Sequence, residues 1–231
     1  MKRQILKIRN SFLKARVNLF VDTVLEKVYK GDKTIDILDL GGGTGVFWQF
    51  IPNDLYENIN IYIADITNNH KSKIENYGYQ FILLDEGSLQ NFKENQFDIV
   101  VCNSVIEHVT IDKNEVWSVR NSQIFRKMAE HHQFEFARDI IRISKNYFVQ
   151  TPNKHFPFEL HTWLPFIQYI PRKFLIRFIK LTNKFWIKKT SPDWNLLTVK
   201  KMKQLFSTAT IISEKCCGLK KSIIAYYLEQ N

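Results

Sequence analysis

The sequence predicts an α/β fold in which a largely parallel sheet is covered by helices on both faces, and three observations carry this. Short apolar runs near 34–40, 59–65, 79–84, 97–103 and 146–151 alternate with helix-compatible stretches near 45–51, 68–77 and 122–144. That is the order expected when crossover helices join parallel strands. The runs are nearly continuous in apolar residues, which suits strands covered on both sides. The first run ends in Asp39-Leu40-Gly41-Gly42-Gly43-Thr44-Gly45 ahead of the apolar Val46-Phe47-Trp48-Gln49-Phe50-Ile51, which reads strand, glycine turn, helix.

A turn of this kind needs positive φ and lets a ligand approach without a Cβ in the way, and the N–H groups that follow favour an anion. A nucleotide-like ligand is expected. The dinucleotide pattern G-x-G-x-x-G/A is not met, because Gly41 and Gly43 lead to Val46 and Gly43 and Gly45 lead to Trp48. A nicotinamide or flavin is therefore disfavoured. The second run, Ile59 to Ala64, ends in Asp65, about 20 residues beyond the glycine loop, where a carboxylate can accept from both hydroxyls of a ribose. The third run ends in Asp85. The fourth ends in Asn103 and continues as Ser104-Val105-Ile106-Glu107-His108-Val109.

The pattern D-x-G-x-G-x-G resembles the first motif of class I S-adenosylmethionine (SAM) dependent methyltransferases, and the later runs follow it in the family's order. The resemblance implies a three-layer, Rossmann-like fold with a seven-stranded, mostly parallel sheet and one antiparallel edge strand. It implies SAM as cofactor, with Asp39, Gly41, Gly43 and Gly45 at its methionine end, Asp65 on the ribose, Asp85 beside the adenine and Asn103 lining the methionine side. It extends roughly over residues 34–228. Tyr147-Phe148-Val149-Gln150-Thr151-Pro152-Asn153, Phe156 to Thr162, Leu164-Pro165-Phe166 and Gly218 to Ala225 look like a subgroup associated with polysaccharide or other glycoconjugate biosynthesis.

A chain of 231 residues fits one such domain. Residues 34–151 are expected to form the SAM-binding core, 152–197 a substrate-side insertion or lid, and 198–231 a helix near 198–207 with a strand hairpin near 209–216 and 221–228. Residues 1–33 are expected to form a basic amphipathic helix. No run of eighteen apolar residues and no signal-peptide pattern occurs. The three cysteines lack metal spacing and suggest a reducing compartment. The expected location is cytoplasmic, with peripheral membrane contact as an option.

The net charge of +10 sits in two places. Residues 1–30 carry eight cations against two acids, residues 164–190 carry seven cations and no acid, and the rest of the chain is net −3. Leu6, Leu13, Val17, Phe20, Val24 and Val28 recur at largely helical spacing, so the first segment can cap the sheet or cover the cofactor mouth. In the second, Phe174, Phe178, Leu181 and Phe185 share one face and Lys173, Arg177, Lys180, Lys184 and Lys188 another, a basic helix with an aromatic underside. Three readings follow for residues 172–188: packing over the core, contact with an anionic membrane, or a grip on nucleic acid. Nucleic acid is the least favoured, since the core is acidic and no Asn-Pro-Pro-Tyr or Asp-Pro-Pro-Tyr type segment follows the fourth strand.

Methyl transfer from a sulfonium needs alignment and exclusion of water, and a base only if the acceptor must lose a proton. Ligands in such folds sit at the carboxyl ends of the strands. His108, after the fourth strand, and Asn153, His155, Glu159 and His161, after the fifth, therefore project towards the reacting region. His161 and His108 are the base candidates, and Glu159 completes the catalytic set. In ubiquinone-biosynthesis O-methyltransferases the segment matching 104–108 reads E-x-x-E-H. Here Ser104 replaces the first acid, so no metal is expected. The expected activity is O-methylation of a small-molecule, sugar or lipid-linked glycan acceptor. The alternatives are a nucleic-acid methyltransferase and an inactive SAM-binding scaffold at a membrane surface.

Overall fold

The computed structural model describes residues 2–31, 33–51, 57–186 and 188–230, with side chains from residue 10 onward. The elements run α1 (Lys2–Phe20), continued by a π turn over Val21–Leu25 and by α2 (Glu26–Val28), then β1 (Ile35–Leu40), β2 (Ile59–Asp65), α3 (Lys71–Asn76), β3 (Gln80–Leu83), β4 (Phe97–Asn103), α4 (Ser122–Ile143) and β5 (Ser144–Pro152). A small hairpin, β6 (Phe158–Glu159) with β7 (Leu164–Pro165), leads to α5 (Arg172–Thr182), α6 (Val199–Leu205), β8 (Thr210–Cys216) and β9 (Leu219–Tyr227). Seven strands form one sheet in the order β3-β2-β1-β4-β5-β9-β8. The first five are mutually parallel. β9 runs antiparallel to both β5 and β8, so the antiparallel direction enters through the edge hairpin, with β9 inside and β8 outermost.

Alternate residues of β1 feed the two faces, as the two-residue period of a strand requires. Leu38 and Leu40 pack with Ile140, Ile143, Met202 and Phe206 from α4 and the region of α6. Ile35 and Ile37 pack with Val17 and Phe20 of α1, Val24 and Trp48. Helix, sheet and helix thus form the three expected layers. The N-terminal helix caps the sheet, and Phe20 lies edge-on to Phe47, Trp48 and Phe148 at 5.7, 5.8 and 5.5 Å. The side chain of Leu6 in the expected stripe lies outside the described residues. Arg16 binds Glu214 of β8 through two bonds of 2.9 and 2.8 Å, fastening the helix to the far edge of its own sheet.

Several boundaries differ from the sequence reading. After the glycine loop a short 3-10 turn, Trp48–Phe50, replaces the helix expected over 45–51. The hairpin turn is Cys217-Gly218, both with positive φ (50° and 79°), as a two-residue turn of matching twist requires. The larger correction concerns α5. It ends at Thr182, and it buries Leu175, Ile176, Ile179 and Thr182 while the supposed underside faces out. Phe174, Phe178, Leu181 and Phe185 are 57, 38, 55 and 69% exposed.

Arg172 and Lys188 also leave the basic surface. The Arg172 guanidinium is buried, donates to the carbonyls of Val119, Pro192 and Val116 at 2.7, 2.7 and 2.6 Å, and lies 3.4 Å over the Phe125 ring. Lys188 donates to the Leu160 carbonyl. Residues between β5 and α6 form a small core of their own, with Ile167, Leu175, Ile179, Trp194 and Leu196.

Candidate active site

β1 enters the glycine loop with a carboxylate beneath it. Asp39 is buried, and its Oδ2 accepts from the Trp48 indole at 2.8 Å while Oδ1 has no partner. Burial outweighs that bond and pushes the carboxyl up to about 7. A Cβ on Gly42 would lie 2.3 Å from Asp39 Oδ2, so glycine there is what lets the loop close over the acid. Gly43 differs, with φ of +57° and no atom within 4 Å of the place a Cβ would take. No neighbouring side chain explains its glycine, whereas a ligand lying against the loop would. Gly41 and Gly45 also have positive φ.

Asp65 closes β2 partly exposed, its Oδ1 accepting the Thr67 N–H at 3.1 Å in an Asx turn. Asp85 lies just past β3 in an exposed turn closed by Ser88 N–H to the Asp85 carbonyl at 2.8 Å. Asn103 ends β4 opposite Gln150 of β5. Both its side-chain polar atoms are buried without a partner, and Gln150 Nε2 is also orphaned. Orphaned polar atoms at the carboxyl ends of β1, β4 and β5 are what a polar ligand would satisfy.

Beyond β4 and β5 the chain assembles a second polar group. A 3-10 turn, Ile106–His108, buries Glu107, whose Oε2 accepts from Thr151 of β5 at 2.9 Å. His108 and His161 meet through their Nε2 atoms at 3.0 Å, rings nearly perpendicular. His161 Nδ1 lies 2.5 Å from Glu159 Oε1, and Glu159 also accepts the N–H groups of His161 and Thr162 at 2.8 and 2.7 Å. His108 Nδ1 lies 3.3 Å from Asp193 Oδ2, and Glu107 Oε1, without a hydrogen bond, lies 3.7 Å from His161 Nε2. Trp194 stacks on His161 at 5.9 Å. Burial would lower the His161 pKa, but the close carboxylates of Glu107 and Glu159, the second hydrogen-bonded to it, outweigh that and raise it to about 9. Burial likewise opposes the ionisation of Glu159 and Asp193. Their histidine partners prevail and hold both below the ordinary carboxylate range.

The two groups are neighbours. A Cβ on Gly41 would lie 2.5 Å from Val105 Cγ2, so the segment bearing Glu107 and His108 runs directly against the glycine loop.

Residues 38–129 match the sequence profile of a family described as "Methyltransferase domain". This segment is a methyltransferase domain. No curated protein matches the chain. Among solved structures, a S-adenosylmethionine-dependent methyltransferase from Clostridium acetobutylicum superposes with TM-score 0.54 at 11% identity, over 99% of each chain. The PH0226 protein from Pyrococcus horikoshii gives TM-score 0.51 at 16% identity, over 94% of this chain and 90% of that one. The CurJ carbon methyltransferase gives 0.50 at 16% identity over 87% of this chain, which spans half the length of that protein. At these identities the likeness is one of fold.

The residues present fit SAM, the cofactor that the resemblance of the glycine loop implies. The open face of Gly43, the unpartnered Oδ1 of Asp39 and both orphaned atoms of Asn103 offer the backbone approach and the polar partners that such a molecule needs. The structure brings His108, His161 and Glu159 together as a group, but leaves His155 exposed beside Tyr169 at 3.1 Å and commits Asn153 to the Lys220 carbonyl at 2.9 Å. Sequence reasoning missed Asp193, Trp194 and Thr151. Asp193 is positioned by long-range bonds. Asn195 N–H donates to the Glu107 carbonyl at 2.8 Å, and the Gln133 amide bridges the Ile106 and Asn195 carbonyls at 3.0 and 2.9 Å.

Proposed function

We propose that this methyltransferase transfers a methyl group to a hydroxyl of a small-molecule, sugar or lipid-linked glycan acceptor. The observation that carries the reading is the facing imidazole pair of His108 and His161, set beside the glycine loop and ringed by Glu107, Glu159 and Asp193. Bound SAM supplies a methyl group already activated on a sulfonium. Asp39, Gly43, Asp65 and Asn103 would hold it, with Asp85 beside the adenine. The remaining work is alignment and water exclusion, which in good intramolecular models provide about 7–11 kcal/mol.

Glu159 and Asp193 occupy the Nδ1 sides of His161 and His108, and His161, raised to about 9, holds its proton, so Nε2 of His108 is the proton-accepting position for an acceptor hydroxyl. His108 is the entry side, with its side chain 33% exposed against 15% for His161. The glycoconjugate class rests on the similarity of segments 147–153, 156–166 and 218–225 to that subgroup. The test is methyl transfer from labelled SAM to a panel of sugars, catechols, lipid-linked glycans and short RNAs, with product analysis. O-methylated product that falls about 10²- to 10⁴-fold in His108→Ala or His161→Ala is expected for acid–base participation. Methylation at carbon or nitrogen, or rates indifferent to both variants, would overturn the reading.

A second reading concerns where the acceptor is met. The aromatic ridge of α5 faces outward beside exposed Lys173, Arg177 and Lys180. Exposed aromatic and basic ridges side by side suit the interface of an anionic bilayer, with rings at the acyl boundary and cations among headgroups. Among the described residues no helix is long and apolar enough to cross a membrane. Contact of this kind would be peripheral and would suit a lipid-linked acceptor.

A further inference from the structure

Ionised carboxylates only accept hydrogen bonds, so the Glu159 bond at 2.5 Å places a hydrogen on Nδ1 of His161, and the Asp193 carboxylate 3.3 Å from Nδ1 of His108 favours the same tautomer there. Each neutral ring then carries its lone pair on Nε2, and the two Nε2 atoms face each other at 3.0 Å. Two lone pairs so placed repel unless a cation lies between or beside them. A proton can serve, but the surroundings exceed what a proton requires. The fully buried Glu107 turns its unpartnered Oε1 towards the same point, 3.7 Å from His161 Nε2, and the three ligand atoms lie within 4.8 Å of one another.

We propose that Glu107, His108 and His161 bind a divalent transition-metal ion. Ligand atoms at about 2.1 Å from a metal are about 3.0 Å apart across an octahedral edge and about 3.4 Å across a tetrahedral one. The separations of 3.0 and 3.7 Å bracket those values and the whole set lies within 4.8 Å, so closure draws Glu107 in towards the two imidazoles. Every ligand is already oriented from behind: His161 by Glu159, His108 by Asp193, and Glu107 by Thr151 through its other oxygen. Carboxylates behind both imidazoles are the arrangement that fixes the tautomer and raises ligand basicity in metal sites. Two imidazoles and one carboxylate select manganese, iron, cobalt or zinc over magnesium, which prefers oxygen alone. Segment 104–108 offers only two of the ligands, which is why it alone predicts no metal; the third arrives from residue 161. Three protein ligands leave coordination positions open. With the ion bound, the Nε2 lone pairs are spent on it and the imidazoles act as ligands in place of a base; use of the open positions by acceptor oxygens rests on the O-methylation reading, while the metal site itself does not.

The test uses the full chain stripped with chelator and titrated with Co2+, read by visible ligand-field absorption and by calorimetry, with Zn2+ and Mn2+ in parallel. One ion per chain is expected. His108→Ala, His161→Ala and Glu107→Gln should each weaken it at least about 10-fold, and Glu159→Gln or Asp193→Asn roughly 10- to 100-fold, as for groups that orient ligands. S-adenosylhomocysteine affinity, measured on every variant, reports that the fold is intact. No Co2+ binding by stripped wild-type chain that still binds S-adenosylhomocysteine would overturn the proposal, as would binding that survives the His108→Ala/His161→Ala double variant. Methyl transfer is read separately. A chain that binds Co2+ but methylates no hydroxyl would sink the acceptor assignment and leave the metal site standing.

Discussion

The indole N–H of Trp48 donates to the buried carboxylate of Asp39 at 2.8 Å, joining the far end of the glycine loop to the strand from which it starts. The bond leaves Asp39 above its ordinary range, raised from 3.8 to about 7 by burial. Between those values the folded chain binds more protons than the unfolded chain, so the ligand-free protein should lose stability as pH rises from about 4 to about 7, by at most about 1.4 kcal/mol per pH unit from this group. Urea titrations across that range, on wild type and Asp39→Asn, check it. An equal slope in both would refute the assignment.

Gly42 and Gly43 should respond oppositely to alanine. At Gly42 the new Cβ meets Asp39 Oδ2 at 2.3 Å and Ile63 Cγ2 at 3.0 Å, so overpacking of about 1–3 kcal/mol is expected in the folded state. At Gly43 it meets nothing, and only the positive φ is penalised, by about 1 kcal/mol. Gly43→Ala should therefore fold and still lose SAM binding by calorimetry. A Gly43→Ala chain with wild-type affinity would remove the loop from the cofactor site.

Asp65→Ala should keep its melting behaviour, since the side chain is partly exposed and only caps a turn. Charge-assisted hydrogen bonds are worth about 1.5–3 kcal/mol, so SAM affinity should fall roughly 10- to 100-fold or more. Unchanged affinity would mean that the ribose lies elsewhere.

Arg172 is an internal clasp. Replacing it with leucine leaves the carbonyls of Val116, Val119 and Pro192 without their donor and should destabilise the region around α5 by about 3 kcal/mol or more. Limited proteolysis should cut residues 152–197 faster while the sheet's amide protection holds. Cleavage at the wild-type rate would contradict the clasp.

For the α5 ridge, Phe174→Ser with Phe178→Ser, or Lys173, Arg177 and Lys180 changed to Glu, should each abolish co-sedimentation with phosphatidylglycerol vesicles. S-adenosylhomocysteine affinity should remain as in wild type. Retention of vesicle binding by both variants would end the membrane reading.

The strands were legible because a strand covered on both faces announces itself in a few consecutive residues, as at Ile35–Leu40 and Phe97–Asn103. The positions of Asp65 and Asn103 follow from the same local register. The inward face of α5 was not legible. The helix carries aliphatic, aromatic and basic ridges, and hydrophobicity alone does not tell Leu175, Ile176 and Ile179 from Phe174, Phe178 and Leu181. Glu107 and His108 were visible as residues, but not their meeting with His161, and Asp193 carried no signal at all. Its place depends on the bonds of Asn195 and Gln133, contacts that join distant parts of the chain.

β9 lies between β5 and β8, although β6, β7, α5, α6 and β8 separate it from β5 in the chain. During synthesis β5, with Tyr147, Phe148 and Val149 at its centre, therefore leaves the ribosome as an unpaired border and stays so until β9 has followed. For that interval it is a template for pairing with a neighbouring nascent chain. The polysome, more than the folded molecule, is where this protein is exposed to aggregation, and chaperone demand should peak after β5 emerges and end once the edge hairpin docks.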